Sequence, residues 1–265
     1  PASPADAPLR HQRDARGVHH LTLNQPRSFN VLGEAMLTEL QGRLDQIAAD
    51  PDARAVVIGA EGKAFCAGHD LKQMKASPRL DYYQALFAQC SRMMLAILKL
   101  PVPVIARVQG MATAAGCQLV AQCDLAVAAD SARFGVNGID VGLFCSTPSV
   151  PLVRNIPAKQ AMEMLLTGGF ISADEAQARG LVNRVVPAEQ LDDAVEALVG
   201  AILAKPREAI AAGKALFYRQ RELGFVAAYQ LAGQTMACNM MLEVTQEGVQ
   251  AFIDKREPAW RKTKS

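Results

Sequence analysis

Two short glycine-containing segments hold the residues with the clearest chemical potential. Lys63–Met74 reads K-A-F-C-A-G-H-D-L-K-Q-M, and Gln109–Leu119 reads Q-G-M-A-T-A-A-G-C-Q-L. Each segment lies between an apolar stretch typical of a buried strand and a stretch with helical spacing. Backbone N–H groups at a helix start lack partners within the helix, so two such turns can direct two donors at one oxygen. Taken alone, the small residues of each turn indicate only tight strand-to-helix packing.

The stretches that position these turns alternate between strand and helix patterns. Ala55–Ala60 is apolar throughout, as expected of a strand buried on both faces. Three or four parallel strands joined by helices are predicted, which is a layered α/β core. The predicted strands are Val18–Asn24, Ala55–Ala60, Val104–Val108 and Asp124–Ala128, and the predicted helices among them are Asn30–Ala48, Asp81–Leu100 and Met111–Gln122.

The C-terminal third is predicted to be almost entirely helical. After Pro148 only Leu181–Val186 has the pattern of an extended segment. The last long helices carry more apolar residues than a surface helix needs, so they are expected to pack on a core or on another subunit. The predicted helices are Ala158–Leu165, Ser172–Ala178, Leu191–Ala204, Arg207–Leu223, Gly224–Met241 and Val244–Ile253.

Composition excludes several functional classes. With 28 Lys and Arg against 26 Asp and Glu, the net charge of +2 is too small to indicate a nucleic-acid partner. No run reaches the roughly 18–20 apolar residues of a membrane span. The six cysteines have no regular spacing, which favours a reducing compartment, and neither C-x-x-C pairs nor nearby histidines indicate a metal site.

Four ordered motifs resemble those of the enoyl-CoA hydratase/isomerase (crotonase) family. Lys63–Met74 resembles the family motif A-F-x-A-G-x-D-[IL]-x-x-M, and Gln109–Asp124 resembles G-x-x-x-G-[GA]-G-x-[ED]-L-x-x-x-x-D. Leu23–Asn30 is similar to the opening motif L-N-R-P-x-x-x-N, and Glu247–Trp260 to the closing motif E-G-x-x-A-F-x-x-K-R-x-P-x-F. The resemblance covers about residues 17–260.

The resemblance implies a crotonase (ClpP-like) spiral of ββα units with a helical C-terminal trimerisation region. The corresponding organisation is a flexible N-terminal segment at 1–16, a spiral core at 17–204 and a trimerising region at 205–265, assembled as a homotrimer or a dimer of trimers. The implied ligand is a fatty acyl-CoA thioester, with no tightly bound cofactor and no metal. Its carbonyl is expected between the backbone N–H groups of His69 and Ala115, as an oxyanion hole.

Coenzyme A contacts are likewise implied by the resemblance. Residues near the thioester and along the nucleotide arm match family positions that contact coenzyme A, and Lys72 is expected to meet one of its phosphates. The positions near the C-terminus match ones that complete the nucleotide site, sometimes from a neighbouring subunit. The matched residues are Arg27, Ser28, Ala67, His69, Asp70, Leu71, Lys72, Phe252 and Lys255.

Both catalytic glutamates of the family's hydratases are replaced in this chain. The first position is Gln118, whose amide cannot exchange a proton near neutral pH, and the second is Gly138, which has no side chain. Asp140, two residues beyond Gly138, is a candidate for a relocated acid or base. The resemblance does not support that role, because dienoyl-CoA isomerases carry an acid at this position besides their catalytic ones. Glu at both replaced positions is expected to introduce some hydratase activity if the oxyanion hole is intact.

Two other features leave a catalytic interpretation open. His69 occupies a position where the family more often has a small residue, and its imidazole is either an acid or base or a hydrogen-bonded structural group. The loop Cys145–Thr147 matches one that supplies a carboxylate in some isomerases, but none of its side chains is an acid at neutral pH.

Three functional hypotheses follow. The first is an acyl-CoA-binding protein of fatty-acid metabolism that has little or no hydratase activity. The second is an active isomerase, hydratase or thioester hydrolase that uses non-standard residues with the same oxyanion hole, and the third is a structural or regulatory subunit. The Pro-, Ala- and Arg-rich start without Met is explained equally by a removed transit peptide and by truncation of the expressed chain. Together with the family resemblance it favours a mitochondrial matrix location, with a cytoplasmic location as the alternative.

Overall fold

A computed structural model, which describes residues 7–262, contains two sheets surrounded by helices. The strands are β1 (Leu9–Arg13), β2 (Val18–Leu23), β3 (Ala55–Ala60), β4 (Ala64–Cys66), β5 (Val104–Val108), β6 (Met111–Thr113), β7 (Leu125–Ala129), β8 (Arg133–Gly135), β9 (Ile171–Ser172) and β10 (Arg184–Val186). The helices are α1 (Glu34–Ala48), α2 (Leu71–Ala76), α3 (Leu80–Lys99), α4 (Ala115–Gln122), α5 (Ser146–Asn155), α6 (Ala158–Thr167), α7 (Ala173–Arg179), α8 (Leu191–Leu203), α9 (Arg207–Gln220), α10 (Phe225–Met240), α11 (Glu243–Ile253) and α12 (Ala259–Lys262).

The larger sheet has the order β1-β2-β3-β5-β7-β10, and all its pairs are parallel except the antiparallel edge pair of β1 and β2. The smaller sheet has the order β4-β6-β8-β9, with an antiparallel edge at β9. Successive units β3-β4-α2 and β5-β6-α4 each place one strand in each sheet before a helix. Because β4 pairs directly with β6, the two turns that lead into α2 and α4 lie side by side.

The larger sheet is buried on both faces, as the apolar sequence of β3 predicts. Val56 and Ile58 point into the main core, which also holds the apolar faces of α1 and α3. Ala55 and Val57 point the other way, into a second cluster formed with α8. The β3 strand therefore has no polar face, and it provides a rigid base for the turn that follows it.

The N-terminal segment is more ordered than the sequence suggests. A flexible segment is predicted through residue 16, but Leu9–Arg13 form β1. This strand pairs antiparallel with β2, with Arg13 opposite His19. The prediction is wrong for these residues, because Leu9 is buried in the core and His11 stacks on His19. Residues 1–6 lie outside the described residues.

Two helices begin later in the structure than the sequence predicts. The predicted helix Met111–Gln122 is divided into β6 and α4, because Ala114 between them has the positive φ of 50°. The helix predicted from Asn30 begins only at Glu34, since Asn30 itself is fully buried with a φ of 54°.

A buried ion pair joins the C-terminal helices to the core. Lys214 of α9 donates to Asp124 Oδ2 at 2.6 Å and to the carbonyl oxygens of Ile97 and Val102 at 2.9 Å each. Tyr218 donates to Asp124 Oδ1 at 2.7 Å. None of the described residues of α9 or α10 is buried as a whole, although the Lys214 side chain is enclosed by these contacts. No helix in residues 7–262 is both long and apolar enough to cross a bilayer.

Candidate functional site

The two glycine-containing turns meet in close backbone contact. Gly68 has a φ of +90°, and a Cβ at this position would lie 2.9 Å from Ala114 Cβ and 3.2 Å from the Ala115 nitrogen. A Cβ on Gly116 would lie 2.1 Å from the carbonyl oxygen of Cys66. Glycine is therefore required at both positions, since any side chain would force the β4–α2 turn away from the start of α4.

Both predicted oxyanion-hole donors are available at this junction. Among the residues that the structure describes, neither the His69 N–H nor the Ala115 N–H donates to another protein group. Ala115 is the first residue of α4, and Ala114 before it has φ 50° and ψ −121°, a strained conformation for a residue with a Cβ. Two unpaired donors on adjoining turns are what stabilisation of a carbonyl oxygen needs.

A cavity of about 260 Å³ adjoins the two donors. No Asp, Glu, Lys or Arg occurs among the residues that line it in the described part of the chain. The lining is mostly apolar, with polar groups contributed by His69, Thr113, Asn137, Ser146 and Thr147. The remaining lining residues are Ala67, Leu71, Met74, Phe87, Ala114, Ala115, Gly138, Val141, Leu143, Phe144, Cys145 and Pro148.

The His69 imidazole is anchored at one nitrogen and unpartnered at the other. Nδ1 lies 3.1 Å from the Leu32 carbonyl oxygen, which requires Nδ1 to carry the proton. Nε2 is buried without a hydrogen-bond partner, and the ring meets Phe87 edge-on with centroids 5.5 Å apart. Burial lowers the pKa of His69, and the bond to Leu32 offsets only part of that effect. His69 is therefore neutral near pH 7, with Nε2 as an acceptor.

Gln118 lies in α4, three residues after Ala115. Its side chain is buried, and its Oε1 has no hydrogen-bond partner among the described residues. It is not one of the residues that line the cavity. An amide at this place supplies neither an acid nor a base to the cavity.

The structure leaves no space for a side chain at Gly138. A Cβ there would lie 2.4 Å from the Leu143 carbonyl oxygen and 2.9 Å from Cys145 Sγ. The Gly138 N–H donates to Cys145 Sγ at 3.3 Å, so the loop folds tightly back over the glycine. This contact argues against the expectation that Glu at 118 and 138 introduces activity, because a side chain at residue 138 requires the loop to be displaced.

Neither Asp140 nor Cys145 provides the cavity with a base. Asp140 is exposed and outside the cavity lining, and its Oδ1 would lie 2.6 Å from a Cβ placed on Gly168. Its side chain is directed at the C-terminal end of α6. Cys145 does line the cavity, but burial raises the pKa of its thiol, which keeps it protonated at neutral pH.

The predicted coenzyme A residues divide into two groups. Ala67 and Leu71 line the cavity, and Asp70 caps α2 by accepting from the N–H groups of Lys72 and Gln73. Arg27, Ser28 and Lys72 are exposed, and the Ser28 N–H already donates to the Gln25 carbonyl oxygen at 3.0 Å. Phe252 and Lys255 are exposed at the end of α11 and are not part of the cavity lining.

Two asparagines of this region are not among the predicted site residues. The Asn30 side chain accepts from the Gln25 N–H and donates to the carbonyl oxygens of Glu61 and Ala64, so it ties the opening motif to the β3–β4 turn. Asn137 lines the cavity, and its Oδ1 accepts from Thr113 Oγ1 at 2.5 Å. Asn30 belongs to the quoted L-N-Q-P-R-S-F-N motif, whereas no local sequence signal marks Asn137.

Comparison with known proteins identifies the family. The model of the enoyl-CoA hydratase/isomerase family matches residues 13–263. The chain belongs to this family. Enoyl-CoA hydratase domain-containing protein 3, mitochondrial, of Rattus norvegicus is 45% identical over 98% of this chain and 87% of its own length.

Solved structures of family members have the same fold. The human enoyl-CoA hydratase domain-containing protein 3 is 44% identical, with a TM-score of 0.92 over 96% of this chain and 100% of that chain. An enoyl-CoA hydratase from Mycobacterium smegmatis is 61% identical, with a TM-score of 0.95 over 96% and 99% of the two chains. The predicted family and the α/β crotonase fold are confirmed.

Proposed function

We propose that this protein binds fatty acyl-CoA thioesters in fatty-acid metabolism and has little or no enoyl-CoA hydratase activity. One observation carries the proposal: the unpaired His69 and Ala115 N–H groups adjoin an apolar cavity that no carboxylate lines among the described residues. The donors suit a thioester carbonyl, and the cavity suits an acyl chain. Hydration additionally needs a base that activates water, and the cavity offers none of ordinary strength.

The binding half of the proposal rests on preorganised backbone donors. Each donor of an oxyanion hole is typically worth about 3–4 kcal/mol to a charged transition state, and less to a neutral carbonyl. Such donors do not depend on side-chain identity, so they persist where the glutamates do not. We place the nucleotide arm beside the exposed cations Arg27 and Lys72, with Phe252 and Lys255 completing that end. Coenzyme A then binds as part of the thioester ligand and is not a resident cofactor.

Self-association as a homotrimer or a dimer of trimers is part of the proposal. Phe225 and Tyr229 of α10 are 86% and 77% exposed, which leaves an apolar helical face that a second copy of the chain would cover. Sedimentation equilibrium tests this directly. A monomer at micromolar concentration would contradict it.

The relatives' names support a location. Enoyl-CoA hydratase domain-containing protein 3 is named mitochondrial in the rat and in Homo sapiens. On that basis we propose the mitochondrial matrix, with the cytoplasm as the alternative because the 61% identical structure comes from a bacterium. Imaging of a tagged chain in its source cell distinguishes the two.

One observation favours a second function, an active acyl-CoA enzyme with non-standard residues. His69 Nε2 is an unpartnered acceptor on a cavity-lining residue, beside the thioester position. However, the pKa of His69 is lowered by burial, which weakens it as a base. Acyl-CoA binding without turnover thus remains the first proposal.

The deciding experiment measures binding and turnover on the same purified protein. Calorimetry gives the Kd of crotonyl-CoA, and loss of the enoyl-thioester absorbance gives the hydration rate. We expect saturable binding without measurable hydration. Turnover at the rate of an ordinary hydratase would overturn the proposal, whereas absence of binding would favour a structural or regulatory subunit.

A further inference from the structure

The cavity has an apolar side that is open to solvent. Val141, Leu143 and Phe144 line the cavity, yet they are 67%, 45% and 38% exposed. These three residues, here called the apolar rim, follow one another in the segment that links the turn after β8 to α5. Exposed apolar side chains that continue the wall of an apolar cavity mark a surface that a ligand can cover.

The segment that carries the apolar rim has no cation to meet the phosphates of a nucleotide. The segment from residue 137 to residue 148 contains no Lys or Arg, and its one acid, Asp140, is directed at Gly168. The cations suited to phosphates, Arg27 and Lys72, belong to other segments, before α1 and at the start of α2. Because the rim brings no cation and continues the apolar wall of the cavity to the solvent, it suits the acyl chain of a thioester held at the oxyanion hole better than it suits the nucleotide.

We propose that the apolar rim binds the distal part of the acyl chain, so that the protein selects long-chain acyl-CoA thioesters over short ones. This inference rests on the proposed acyl-CoA binding. A short chain ends within the cavity and leaves the rim in water. A longer chain covers the rim, and each methylene that it buries fully raises the affinity by up to about fourfold.

The test compares chain lengths on two matched double variants. Val141→Ser with Leu143→Ser makes the rim polar, while Val150→Ser with Val153→Ser makes the same change on exposed residues of α5 that do not line the cavity. Calorimetry with butyryl-, octanoyl- and dodecanoyl-CoA is expected to show affinity rising at least about tenfold from the shortest to the longest ligand. The rim variant should lose most of this gain, and the α5 variant should retain it.

Two results would overturn the inference. One is equal affinity of the unmodified protein for butyryl- and dodecanoyl-CoA, and the other is the same loss of the chain-length gain in both variants. Each leaves the proposed function standing, because butyryl-CoA still binds. Failure of every acyl-CoA to bind the unmodified protein would instead reject the proposed function itself.

Discussion

The His69 side chain donates to Leu32, and Leu32 in turn donates to the peptide group that joins Gly68 to His69. The Leu32 carbonyl oxygen accepts from His69 Nδ1 at 3.1 Å, and the Leu32 N–H donates to the Gly68 carbonyl oxygen at 2.7 Å. The imidazole therefore fixes the peptide that presents its own backbone N–H to the cavity. This explains how a histidine occupies a position where only the backbone is needed.

The anchoring role predicts different effects for two amide replacements of His69. Asn places its amide near the position of Nδ1 and can still donate to Leu32, whereas the longer Gln places its amide near Nε2 and cannot. We expect His69→Asn to bind butyryl-CoA within about threefold of the unmodified protein, and His69→Gln to bind it about three- to tenfold more weakly, the value of one hydrogen bond. Equal affinities measured by calorimetry would show that the bond to Leu32 does not position the donor.

Introducing glutamate at 118 and 138 is expected to destabilise the protein without creating a hydratase. A Cβ at residue 138 meets the Leu143 carbonyl oxygen at 2.4 Å, and overpacking of this kind costs about 1–3 kcal/mol or more. Gln118→Glu alone adds a buried carboxylate to a site with an already unpartnered oxygen. Thermal unfolding and crotonyl-CoA hydration of both single variants and the double variant check this. A stable double variant that hydrates crotonyl-CoA would show that the loop around Gly138 moves easily.

The sequence predicts the frame of the site better than its walls. Buried strands such as β3 are apparent from uniform apolarity, and the two turns are apparent from their small residues, since both signals are local. The short strands β4, β8 and β9 are too short to show an alternating pattern. Pairing with their neighbours in the smaller sheet stabilises them, and the strand propensity of their own residues does not mark them in the sequence. The closed space at Gly138 depends on Leu143 and Cys145 folding back over it, a tertiary contact without a sequence signature.

Histidine burial predicts that stability falls on mild acidification. His19 Nε2 lies 3.0 Å from Asp50 Oδ2, and its Nδ1 lies 2.9 Å from His11 Nε2. Burial lowers the pKa of His19 below its ordinary 6.5, and the bond to Asp50 offsets this only in part. Burial also lowers the pKa of His11, and neighbouring His19 lowers it further. The unfolded chain therefore binds protons more readily than the folded protein. The stability that neutral His19 and His11 contribute is present above the unfolded pKa of about 6.5 and is lost as the pH falls below it.

Urea unfolding between pH 7.5 and 5.5 tests this pH dependence. His19→Gln should reduce the decrease in the unfolding free energy, since one buried histidine no longer titrates and His11 loses its neighbour. His20→Gln removes a histidine from the adjacent position of the same strand and serves as the control. An identical pH dependence in the unmodified protein and His19→Gln would assign the effect to other groups.

Replacing Asp124 is expected to separate the C-terminal helices from the core. Asp124→Asn leaves Lys214 buried without its counter-charge, although Lys214 still donates to the Ile97 and Val102 carbonyl oxygens. Breaking a buried pair from one side typically destabilises by about 3–5 kcal/mol. The exposed pair of Arg154 and Glu222, at 3.9 Å, offers the control, since Glu222→Gln should change stability by less than about 1 kcal/mol. If Asp124→Asn shifts the urea midpoint no more than Glu222→Gln does, then the attachment of α9 rests on its apolar contacts and the buried charges are dispensable for it.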